Sequence, residues 1–70
     1  MNSEVAPINW RVQVELDFPV KRREIQFFYL PSDGDYIHIR GLVSGIEEFK
    51  VFRREFDVER GLITIFIKKA

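Results

Sequence analysis

From Ile8 to Phe18 the chain alternates without a miss. Ile8, Trp10, Val12, Val14, Leu16 and Phe18 interleave with Asn9, Arg11, Gln13, Glu15 and Asp17. Successive side chains of a strand point to opposite faces, so this period of two describes a long strand with one dry face and one wet face. Pro19 ends or bends it, because proline has no N–H to donate to a ladder. The preceding residues, Met1 to Ala6, carry no periodicity and read as a frayed end.

Such a strand needs a sheet to cover its dry face, and the chain has 70 residues in which to build one. That is a single domain, 1–70, close to the size at which a chain needs a disulfide, a metal, an interface or a dense core to fold alone. With no cysteine and one histidine, His38, neither disulfides nor thiolate zinc sites are open to it. Seven Phe, two Tyr and Trp10 supply the dense-core route, since each buried aromatic removes a large apolar area from water.

The turns that follow are legible. Val20 to Glu24 (VKRRE) reads as a charged turn, and Ile25 to Leu30 as a second strand, with Ile25, Phe27 and Tyr29 on one face and Gln26, Phe28 and Leu30 on the other. Pro31-Ser32-Asp33-Gly34 has turn chemistry: aspartate and serine bond to nearby backbone, and glycine supplies positive φ. A third strand then turns Ile37 and Ile39 inward and Tyr36, His38 and Arg40 outward, and closes at Gly41.

The stretch from Gly41 to Gly61 supports two readings. Ser44 and Glu47 have the spacing of a capping box, Gly61 suits a helix C-terminus, and Ile46, Phe49, Phe52 and Phe56 share a helical stripe. Val51 and Val58 fall off that stripe. A strand pairs Phe49 with Val51, then changes phase through a bulge near Val51-Phe52 to put Phe52, Phe56 and Val58 on the opposite face. Asp57 to Gly61 becomes a hairpin loop into a last strand that turns Ile63, Ile65 and Ile67 inward. The all-β surroundings favour the strand.

The expected fold is therefore all-β: a small five-stranded antiparallel barrel or strongly bent sheet, SH3-like in architecture. Closing the sheet protects edges that would otherwise template aggregation. The alternative is α+β, with one helix at about 45–59 packed on a four-stranded antiparallel sheet.

For function the sequence mostly excludes. His38 has no nucleophile or orienting carboxylate in a recognisable spacing, and none of Ser3, Ser32 and Ser44 sits in a nucleophile-elbow motif. Asp33-Gly34-Asp35 lacks the further oxygen ligands of a calcium loop, and the four glycines form no phosphate-cradling pattern. No enzyme, metal or cofactor is expected. The N-terminus lacks a basic region followed by an apolar run, no stretch is long enough to span a bilayer, and the missing cysteines suit a reducing compartment, so a cytoplasmic protein is expected.

Lysine and arginine number 11 against 11 aspartate and glutamate, a balance unlike that of a dedicated nucleic-acid binder and one that weakens the self-repulsion keeping proteins apart. The expected role is a binding module that engages a protein partner or a second copy of itself. Its contact stripe is Tyr36, His38 and Arg40 with Trp10, and Arg53 and Arg54 supply charge; Tyr, Trp and Arg are the residues that dominate interface energetics. The alternative is a single-stranded nucleic-acid binder using Arg22, Arg23, Arg53 and Arg54 with nearby rings.

Overall fold

The structure, a computed structural model, describes residues 7–14 and 20–70. The frayed end expected at Met1 to Ala6, and the outer end of the first strand with Pro19, lie outside the described residues. Five strands follow one another: β1 (Ile8–Val14), β2 (Lys21–Phe27), β3 (Tyr36–Val43), β4 (Ile46–Asp57) and β5 (Leu62–Lys69). They form one sheet in the order β2-β1-β5-β4-β3, curled into a nearly closed barrel. In the stretch open to two readings Ile46–Asp57 is one strand, bounded by turns at 44–45 and 58–61, and the described residues contain no helix.

Every pairing is antiparallel except β1 with β5. In a succession of five alternating strands the first and last run the same way, so joining them makes a parallel pair. β5 occupies the centre, and its four successive residues Thr64 to Ile67 are all buried. Val12 lies opposite Ile65 and Val14 opposite Ile67 across the β1–β5 pair, while Val51 meets Ile67 from β4. These residues, with Phe49, are fully buried, and Trp10 and Leu42 complete the core. The alternation of Ile8 to Val14 thus does what its period implies: Trp10, Val12 and Val14 are buried.

The wet face of the same strand is equally ordered. Arg11 Nε donates to Glu24 Oε2 at 3.2 Å, Arg22 Nε to Gln13 Oε1 at 3.0 Å, and Gln26 Nε2 to Asn9 Oδ1 at 3.1 Å. These cross-strand pairs explain why Lys21 to Glu24 is strand and not the charged turn its composition suggests. A charged run is well suited to an edge strand, where water solvates one flank and opposite charges meet across the pair. β2 correspondingly ends at Phe27, so Phe28, Tyr29 and Leu30 leave the sheet and the second strand does not run on to Leu30 as expected.

The corner before β3 closes on itself. Asp35 N–H donates to the Ser32 carbonyl (3.0 Å), and Ser32 N–H donates to the Asp35 carboxylate (2.7 Å). Gly34, at φ +92°, donates its N–H to the Val51 carbonyl at 2.8 Å, and Val51 returns a bond to the Asp35 carbonyl at 2.9 Å. The turn reading holds, and Asp35 is the side chain that ties it. The β4 register shifts between Val51 and Arg53, the bulge expected from the change of phase. A second shift, between His38 and Val43, carries β3 past Gly41 to Val43, so Gly41 (φ +81°) kinks the strand instead of closing it.

Candidate functional site

The barrel is shut everywhere except between β2 and β3, the two ends of the strand order. At one end of that gap Arg23 reaches across, and its Nη1 donates to the Arg40 carbonyl at 2.9 Å. At the other end the two strands are joined by the segment 28–35. Between clasp and linker lies a cleft of about 510 Å³. From β1 and β2 come Trp10, Ile25 and Phe27; from the linker, Tyr29, Pro31 and Asp35; from β3, the consecutive residues Tyr36 to Ile39.

The last of these contributions is informative. Neighbouring residues of a strand face opposite ways, so four in a row can line one cavity only if its wall is the strand's edge. The cleft is therefore bounded by the free edge of β3, with the apolar side chains of Trp10, Ile25, Ile37 and Ile39 as its floor.

The rim is aromatic. Tyr36 is 61% exposed, Tyr29 63% and Phe28 59%, and the Phe27 ring lies 5.6 Å from Phe28 and 5.5 Å from Tyr29. Four rings on one small surface are an unusual load for water to cover, and such patches mark places where other molecules bind. Tyr36 is outward by alternation, and the end of β2 at Phe27 leaves Phe28 and Tyr29 off the sheet.

Tyr36, His38 and Arg40 project from β3 as the alternation requires, and all are exposed. His38 Nε2 lies 3.1 Å from Glu47 Oε1, and the Lys50 ammonium sits 5.6 Å from the Tyr36 ring centre, both across the β3–β4 pair. The stripe is thus also cross-strand packing. Arg40's guanidinium has no partner among the described residues. Trp10 does not belong to an exposed stripe: it is 4% exposed and forms part of the floor. Its indole N–H has no acceptor among the described residues.

The two arginine clusters come apart. Arg22 lies on the outer ladder with Gln13, while Arg23 crosses the gap. Arg53 lies over the Phe66 ring at 4.2 Å and 3.9 Å from Glu55, whereas Arg54 pairs with Ile65 on the next position and sits 5.6 Å from the Phe56 ring. Adjacent strand residues face opposite sides, so neither pair makes a concentrated positive patch. Neither Arg53 nor Arg54 reaches the cleft, and no lysine or arginine lines it. Among the described residues no group of three metal-ligating side chains comes together, and no helix is long and apolar enough to cross a membrane.

Sequence reasoning missed Phe27, Tyr29 and Pro31 as cleft residues. The signal was present in Phe27-Phe28-Tyr29, where three consecutive rings cannot all face one interior. Comparison with protein-family models, with curated proteins and with solved structures finds no match to this chain.

Proposed function

We propose that the protein is a non-enzymatic binding module of SH3-like proportions that engages a protein partner through the β2–β3 cleft and its rim. The carrying observation is the cleft itself: an apolar floor, an aromatic rim and an unpaired strand edge, gathered where the sheet fails to close. Concave apolar sites with a few polar groups are where small domains bind, and tyrosine and arginine are the side chains that give interfaces their energy. Tyr36, His38 and Arg40 form the β3 side of this surface. The neutral balance of charge and the lack of any cation in the cleft lining favour a polypeptide over a nucleic acid, whose phosphates need lysine and arginine beside the stacking rings. A second copy of the chain is the other occupant this surface suits, through its own β3 edge.

The test is selection of a displayed random-peptide library on the immobilised domain, in parallel with the double variant Tyr36→Ala/Arg40→Ala. Peptides enriched on the native domain and lost on a folded double variant support the reading. Equal enrichment on both, or none on either, overturns it.

A further inference from the structure

We infer that the ligand is an extended segment that adds to the free edge of β3 as a strand, with apolar residues at alternate positions and an acidic residue at its Arg40 end. This rests on the reading of the cleft as a protein-binding site and specifies the mode of recognition.

Three observations carry it. The edge of β3 from Tyr36 to Ile39 is a cleft wall, and among the described residues β3 pairs with β4 alone, so one flank of its backbone donors and acceptors faces the gap without a ladder. Unpaired backbone groups of this kind are a template for an incoming strand. The floor beside that edge is apolar, which asks for alternate apolar side chains, since every second residue of an added strand points down into it. The charge is placed at one end. Arg40 is exposed and unpaired among the described residues, while Asp35 at the other end is occupied by Ser32 N–H and His38 faces Glu47. Arg40 lies one residue beyond this wall, so a carboxylate on a ligand that overhangs Ile39 meets an open cation.

Trp10 adds a further mark. Its indole N–H is closed off from solvent and lacks an acceptor among the described residues, in the floor of the same cleft. A strand that opens the cleft can bring a backbone carbonyl to it. As the only tryptophan of the chain, Trp10 also reports occupancy through its emission.

The experiment is a scan of backbone N-methylation along a peptide of about ten residues selected on the native domain, long enough to overhang the four-residue wall on both sides. Methylating an N–H that donates to β3 removes the bond and inserts a methyl group into the ladder. Affinity is expected to fall about tenfold or more at alternate positions and to hold at those between. Arg40→Ala is expected to abolish the preference for an acidic residue, and Arg40→Lys to keep it. Uniform tolerance of N-methylation, by a peptide still weakened by Tyr36→Ala/Arg40→Ala, overturns strand addition and leaves the binding-module reading standing. Failure to select any peptide overturns both.

Discussion

Replacing Trp10 by phenylalanine tests the core and the cleft in one variant. Trp10 is 4% exposed, yet its N–H has no partner among the described residues. Truncating a well-packed tryptophan to alanine costs about 3–5 kcal/mol. Trimming it to phenylalanine removes roughly 40 Å³, which at about 24 cal/mol per Å³ of residual cavity is near 1 kcal/mol, with lost transfer energy taking the total to about 1–2 kcal/mol. Against this, the variant removes a buried donor whose lack of a partner costs about 1–3 kcal/mol. The terms nearly cancel, so Trp10→Phe is expected within about 1 kcal/mol of the native chain while Trp10→Ala loses several. A domain of this size has about 4–10 kcal/mol in all, so Trp10→Ala approaches complete unfolding. Urea unfolding followed by circular dichroism separates the two: with a slope of about 1 kcal/mol per M, Trp10→Phe moves the midpoint by no more than about 1 M. A Trp10→Phe loss as large as that of an ordinary core truncation would refute the reasoning, because it would mean that the N–H is satisfied.

Other perturbations read other parts of the structure. Ile65→Ala, at the fully buried centre of β5 between Val12 and Arg54, is expected to lose about 2–5 kcal/mol and Ile65→Val only about 0.5–1.5, as measured by the same unfolding curves. Gly41→Ala forces a side chain into φ +81° and brings its Cβ to 3.4 Å from Arg23 Nη2; it should cost about 1–2 kcal/mol, seen as a fall in melting temperature, and a neutral result would remove the kink from the account. Arg23→Met breaks the clasp to the Arg40 carbonyl, an exposed bond of about 0.5–1.5 kcal/mol, and should speed amide exchange along β3 more than along β5. Sedimentation equilibrium with a labelled oligonucleotide should show no mass shift at low salt; a complex that weakens steeply as salt rises would reinstate the nucleic-acid alternative.

The fold was largely legible because strand faces are written in period two. Ile8 to Val14 carries its burial in the alternation, whereas β5, central in the sheet, is buried at four successive residues from Thr64 to Ile67, and the phase change at Val51-Phe52 announces a bulge that the register of β4 on β5 contains. The boundaries of β2 were not legible, because they depend on partners. Lys21 to Glu24 is a turn by composition and a strand once Gln13 and Arg11 stand opposite. The cleft was half legible. Tyr36 and His38 follow from alternation, with Arg40 just beyond the cleft, but the floor that Trp10 helps to form arises from which two edges fail to meet, a consequence of the whole strand order. Arg53 and Arg54, expected to supply charge together, are adjacent in a strand and so face opposite sides.

The most direct test of the account is an amide correlation spectrum of the isotopically labelled chain, titrated with a peptide selected on the native domain. The account predicts shifts concentrated on Tyr36 to Ile39, Ile25, Phe27 and the Trp10 indole N–H, with the outer ladder of Arg11 and Glu24 unmoved. Shifts centred on the Asp57 to Gly61 hairpin, or on the outer ladder, with the β3 edge silent, would contradict it.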